Sequence, residues 1–183
     1  KSVELLHREI DTLRQLDIEG IPRFVDAIED DLHIYLIESY IPVPSLLTLI
    51  EQNAWCPSDF DSFTEIFANA ARLLVRLQNR IQPVIHRDIK PANILVDIDT
   101  RKVWIVDFGS VEALRYRSRH ETFAGTAGYM APEQTYGKPL PASDVFGLAA
   151  SMLHLLTGRS TLDMEMSGLH FEFERYLPAG TPQ

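Results

Sequence analysis

Apolar residues near the start of the chain recur at spacings close to 3.6. Leu5, Leu6, Ile10, Leu13 and Leu16 alternate with Glu9, Asp11 and Arg14, which predicts an amphipathic helix over 1–16. "DIEGIP", Asp17 to Pro22, breaks it, because Gly and Pro are poor helix residues. "RFVDAIE" and "LHIYLIES" then read as two strands with a turn at "DD". The proline-rich "IPVPS", Ile41 to Ser45, reads as a stiff connector, and Ser45 as the cap of a short helix reaching Gln52. A long helix follows from about Phe60 to Gln82, capped by Ser58 or Asp59. Its inward face is Phe63, Ile66, Phe67, Ala70, Leu73, Leu74 and Leu77. Short strands at "VI", "ILV" and "VWIV" come next, the last two flanking the hairpin-like turn "DIDTRK". Residues 107–133 have little periodicity, which marks a functional loop. "ASDVFGLAASMLHLLTG" is apolar nearly all round, as a buried central helix is, and Gly158 ends it. The tail "LPAGTPQ" reads as loop.

Bulk composition narrows the class. The chain has 183 residues, 45% hydrophobic and 23% charged, enough for a substantial core and two small lobes. Seventeen basic against 26 acidic residues give a net charge of −9, which argues against a nucleic-acid partner. The single cysteine, Cys56, excludes an internal disulfide and fits a reducing, cytoplasmic setting. "KSVELLHREI" has no signal-peptide character. The longest apolar run, Val145 to Leu156, is short of the ~20 residues a membrane span needs, so membrane contact is not indicated in this segment.

The chemistry lies in "VIHRDIKPANILVDIDTRKVWIVDFGS", Val84 to Ser110. His86, Arg87, Asp88 and Lys90 precede one apolar run and Asp107 follows the other. Charges at the ends of buried strands are costly unless they are paired or bind something. "HRDIKPAN" (His86 to Asn93), "DFG" (Asp107 to Gly109), "GTAGYMAPE" (Gly125 to Glu133) and "DVFG" (Asp144 to Gly147) together resemble the signature series of the protein kinase family, in order and at family-like spacing. The resemblance spans essentially the whole chain. It implies an α+β, two-lobe protein-kinase-like fold in truncated form: a partial small lobe over 1–40, and a partial, mainly helical large lobe over 41–183.

The resemblance also implies roles. Phosphoryl transfer from ATP is mostly positioning and charge neutralisation. Asp88 matches the catalytic aspartate that faces a substrate hydroxyl, and Lys90 is placed to meet the γ-phosphate, as in serine/threonine kinases. Asn93 and Asp107 match the metal positions, where hard oxygen donors suit Mg²⁺. Glu9 matches the glutamate of the regulatory helix that pairs with the nucleotide-binding lysine. The adenine pocket would use Leu95 as floor and a hinge near Ser39, Tyr40 and Ile41, with Glu38 at the gatekeeper position or one residue away. His86 and Phe108 would pack on each other, Leu13 and Phe24 continuing the stack, and Asp144 would anchor the catalytic-loop backbone. Thr126 would contact Asp88 and Lys90. Thr122, in a stretch carrying Arg115, Arg117 and Arg119, is a phosphorylation candidate whose phosphate Arg87 would receive.

The expected partners are a nucleotide and a protein substrate. The family's Gly-rich loop and strand lysine are not found, Lys1 being on the same helix as Glu9, and no arginine partner for Glu133 is identifiable. The two strands would present an open edge. The sequence is therefore expected to be an excerpt of a larger kinase chain. Two other readings stay open: a pseudokinase scaffold without turnover, and a small-molecule phosphotransferase of the wider superfamily.

Overall fold

A computed structural model of the chain describes residues 3–30, 32–52, 60–113, 125–167 and 170–177; for residues 4, 5, 112 and 113 it describes the backbone alone. The amphipathic pattern of the first residues gives α1, Val3–Gln15, with Ile10, Leu13 and the following Leu16 buried. The break after it is tight. Gly20 has φ +96°, and a Cβ there would stand 2.8 Å from Leu73 Cδ2, so the loop lies hard against the long helix. Arg80 Nη2 donates to Gln15 O at 2.7 Å, Arg76 Nη1 to Glu19 O at 3.1 Å, and Ile105 N to Gly20 O at 2.9 Å.

Strands β1, Phe24–Glu29, and β2, Ile34–Glu38, pair antiparallel with an irregularity between Phe24 and Asp26. Asp30 closes their turn, its carboxylate accepting from Leu32 N and His33 N at 2.8 Å each. Among the described residues no third strand joins them, and Val25, Ile28 and Tyr35 are exposed. The connector then lies along a later strand: Val96 N donates to Pro44 O at 2.9 Å, and Ser45 bridges Leu95. Ser45 also caps α2, Leu46–Glu51, accepting from Thr48 N.

The long helix α3 runs Phe60–Gln78 and buries all seven positions of the expected apolar face. It stops four residues before the Gln82 boundary expected from sequence. Pro83 disfavours a helical residue before it, and the chain must turn there to enter β3, Val84–Ile85. Ser58, Asp59 and Cys56 lie outside the described residues. The hairpin of β4, Ile94–Asp97, and β5, Lys102–Ile105, pairs Ile94 with Ile105 and Leu95 with Trp104. β3 also pairs with β6, Glu112–Ala113.

Helix α4 is Pro141–Thr157, closed by Gly158 at φ 65°. It is less enclosed than its apolar sequence predicts, since Val145 is 55% exposed. It packs on α3 and β3, Gly147 lies against Ile89, and Phe146 meets Phe171 of the last hairpin. A last hairpin, β7 Met166–Ser167 with β8 His170–Phe171, follows. The core joins α1, α2, α3, the β4–β5 hairpin, Phe108, Val111 and α4. Among the described residues no helix is long and apolar enough to cross a membrane.

Candidate active site

The loop between β3 and β4 is held from below by one carboxylate. Asp144, buried in the first turn of α4, accepts from His86 N at 2.9 Å and from Arg87 N at 2.8 Å. Burial pushes its carboxyl above the ordinary range, while the two amide N–H groups and Gln78 pull the other way. His86 is fully enclosed and meets Phe108 edge-on, ring centroids 4.9 Å apart. Its Nε2 faces Val106 O at 3.1 Å, and Asp88 N donates to its Nδ1 at 3.4 Å. A carbonyl only accepts and an amide N–H only donates, so the ring is the neutral Nε2–H tautomer. Burial lowers its pKa in the same sense.

Above this support the chemistry-bearing groups converge. Asp88 is nearly buried, 9% exposed. Lys90 Nζ lies 2.7 Å from Asp88 Oδ2 and donates to Thr126 Oγ1 at 2.8 Å. Thr126 Oγ1 in turn donates to Asp88 Oδ1 at 2.7 Å. The segment after Gly125 is thereby tied to the loop 38 residues earlier, as the motif resemblance implies. Asn93 Nδ2 donates to Asp88 O at 2.9 Å and reaches Asp88 Oδ2 at 3.3 Å.

Asp107 enters from the other arm of the hairpin. Beyond the Ile94–Ile105 pair, Val106 N donates to Asn93 O at 3.0 Å, which sets Asp107 beside the 91–93 turn. Arg87 and Asp107 both hold left-handed φ, 67° and 65°, a conformation costing of order 1–3 kcal/mol for a non-glycine residue and concentrated at functional sites. Phe108, 1% exposed, and the Arg87 Nε bond to Ser110 O fix the turn that follows.

The donor set suits a magnesium–nucleotide complex. Asn93 commits its amide nitrogen to Asp88, so its Oδ1 and the Asp107 carboxylate are the oxygens that could hold a metal. Two hard oxygens leave most of an octahedral shell to water and phosphate, the usual Mg²⁺ arrangement.

The remaining expected site residues are placed as follows. Leu95 is half-buried on the face of β4 opposite the enclosed Ile94 and Val96, and Ser45 of the connector bridges it. Ile41 is half-buried four residues before that bridge, whereas the Tyr40 side chain is 87% exposed, leaving its backbone as the part able to line a pocket. Glu38 is exposed at the end of β2. Glu9 is buried, 4% exposed, on α1, and α1 packs on the 108–110 turn. Leu13, Phe108 and the partly buried Phe24 share one cluster. Thr122 and the three arginines near it lie outside the described residues.

Two residues, Ser143 and Gln134, escaped the sequence reading. Ser143 Oγ donates at 2.5 Å to Glu133, for which sequence suggested no partner. Gln134, buried in the same turn, donates from Nε2 to Arg87 O at 2.7 Å. Neither has a periodic signal. A separate groove of about 280 Å³, lined by Asn69, Arg76, Lys102 and Trp104 among others, lies behind α3 and β5. Arg76 and Lys102 are engaged there by Glu19.

Comparison with known proteins places the chain in a family. The family model described as "Protein kinase domain" matches residues 1–174. The chain is 32% identical over 173 residues to serine/threonine-protein kinase B of Synechocystis sp. (strain ATCC 27184 / PCC 6803 / Kazusa), covering 88% of this chain and 29% of that protein. Serine/threonine-protein kinase C of the same organism is 32% identical over 168 residues, covering 86% and 30%. LysM domain receptor-like kinase 10 of Oryza sativa subsp. japonica is 32% identical over 160 residues, covering 81% and 26%. The chain thus spans less than a third of the length of each of these relatives.

Proposed function

The chain belongs to the protein kinase family, and from that premise we propose that it transfers the γ-phosphate of ATP to a serine or threonine hydroxyl of a protein substrate. The observation that carries this reading is the closed set of contacts around Asp88, with Lys90, Thr126 and Asn93 all bound to it.

On this reading residues 1–40 are part of the small lobe and 41–183 part of the large lobe. The incoming hydroxyl meets the Asp88 carboxylate, which orients it and accepts its proton. Lys90, already 2.7 Å from that carboxylate, stabilises the negative charge of the phosphoryl group in flight. Asn93 and Asp107 hold Mg²⁺, which when bound neutralises phosphate charge. Leu95 and the 39–41 backbone line the adenine pocket, and Glu9 orients the phosphate-binding side of the small lobe. Serine/threonine preference is supported by Lys90 and by the names of the relatives from Synechocystis.

The test uses the full-length protein, labelled ATP and a generic protein acceptor. Asp88→Asn keeps nucleotide binding and loses on the order of 10²–10⁴ in turnover, the range of a lost general base. Asp107→Asn weakens Mg²⁺–ATP binding instead. Equal activity in wild type and both variants would show the roles misassigned. Transfer to an aminoglycoside or choline but to no protein would move the enzyme to the small-molecule branch. Nucleotide binding without any transfer would make the chain a pseudokinase.

A further inference from the structure

We propose that Gln134 is a positioning residue that sets the aim of Asp88 by clamping the peptide between Arg87 and Asp88. This rests on the phosphotransfer reading above and adds to it a residue that touches neither nucleotide nor substrate.

Gln134 is 3% exposed, in the short helical turn Pro132–Tyr136. Its Oε1 accepts from Ala131 N at 3.0 Å, which fixes the orientation of the amide, and its Nε2 then donates to Arg87 O at 2.7 Å. That carbonyl is boxed in elsewhere too. A Cβ built on Gly125, itself at φ +132°, would lie 3.3 Å from it. The other end of Arg87 is held by Asp144 through its N–H, and its side chain by Ser110 O. Arg87 is at φ 67°, a conformation that persists only where the surroundings over-determine it. Gln134 supplies the restraint on the carbonyl side. The same peptide carries Asp88 N, so its rotation carries the Asp88 side chain with it.

One planar amide does two jobs that few side chains combine, accepting at Ala131 and donating at Arg87. Leucine has the volume and neither function. An ionised glutamate accepts from Ala131 but sets a carboxylate against the Arg87 carbonyl. A protonated glutamate restores the donor. Burial raises the pKa of such a carboxyl, so the defect of Gln134→Glu depends on pH.

The experiment compares full-length wild type, Asp88→Asn, Gln134→Leu and Gln134→Glu. It measures kcat and KM for ATP between about pH 5.5 and 8, which brackets a raised carboxyl pKa, together with amide hydrogen exchange in the 84–93 segment. Gln134→Leu is expected to lower kcat by roughly 10–100-fold, the scale of a sub-ångström to ångström misplacement, with KM for ATP within twofold. Exchange at residues 87–89 accelerates while α3 amides keep their protection. For Gln134→Glu, kcat relative to wild type falls as pH rises. Unchanged kcat and exchange in Gln134→Leu, or a flat ratio in Gln134→Glu, overturns the proposal. If Gln134→Leu loses α3 protection and so unfolds, the pH dependence of Gln134→Glu alone decides. If exchange responds in a protein whose wild type transfers no phosphate, the phosphotransfer reading falls and the clamp on the loop stands.

Discussion

At the scale of single residues, Asp144 supports the site from beneath. It satisfies two adjacent buried N–H donors, His86 and Arg87. Asp144→Ala strands both, at about 1–3 kcal/mol for each unsatisfied donor, so a loss of roughly 3 kcal/mol is expected, read as a fall in urea midpoint at constant m. Asp144→Asn is a poor rescue, because one amide end must point a donor at a donor. Asp88, Lys90, Asn93, Asp107 and Asp144 were legible because they sit in one short, dense motif series. Glu9 was legible only by resemblance: helical periodicity groups it with Asp11 and Arg14 on the polar side, and the structure buries it. Gln134 and Ser143 were not legible. Each is a lone polar residue whose partner, 47 or 10 positions away, exists only after the chain has folded.

At the scale of elements, α4 comes hard against the loop between β3 and β4. A Cβ on Gly147 would stand 2.6 Å from Ile89 O and 3.1 Å from Ile89 Cβ. Gly147→Ala therefore has to push the helix and the loop apart, costing roughly 1–3 kcal/mol as overpacking does. Because Ile89 is next to Asp88, kcat falls with stability. Equilibrium unfolding and turnover of the variant measure the two together, and a variant of wild-type stability and rate would show that this contact yields without consequence. The long apolar stripe of α3 was readable to the residue, since seven inward positions leave one phase for a 3.6-residue repeat. Its C-terminal end was not, because the last turn is decided by Pro83 and the strand that must follow. β6, β7 and β8, two residues each, are too short to show alternation; β6 is defined by β3 far back in the chain, and β7 and β8 only by each other. The surplus apolar character of α4 was visible, but not which of its faces the described elements would cover.

At the scale of the whole molecule, acid is expected to unfold the protein through its buried histidines. Burial lowers the pKa of His86, and of the half-buried His154, below the ordinary 6.5. The unfolded chain therefore takes up protons first, and stability falls as pH drops through about 6.5 towards the folded-state values. Asp144, pushed up by burial, acts with the opposite sign above 3.8. His86→Tyr keeps an aromatic ring against Phe108 and removes the titration, so its stability should vary less between about pH 7.5 and 5.5 than that of the wild type, whose histidines titrate there. Parallel curves from chemical denaturation would place the acid sensitivity elsewhere. The overall architecture was legible because four motifs fall in order along one chain; the ties from the end of α3 and the turn after it to Gln15 and Glu19 were not, since they run from arginine side chains to main-chain carbonyls. Those ties have a mechanical corollary. With Gln15 O and Glu19 O gripped by Arg80 and Arg76, any tilt of the first helix against the 108–110 turn and the β1–β2 strands it packs on would take its fulcrum at the C-terminal end. At ~1.5 Å per residue, Glu9 lies ~9 Å and Val3 ~18 Å from that fulcrum, so a tilt of about 15° swings the far end by ~5 Å and Glu9 by only ~2 Å. A push applied at the Val3 end would reach the buried carboxylate shortened in stroke and raised in force.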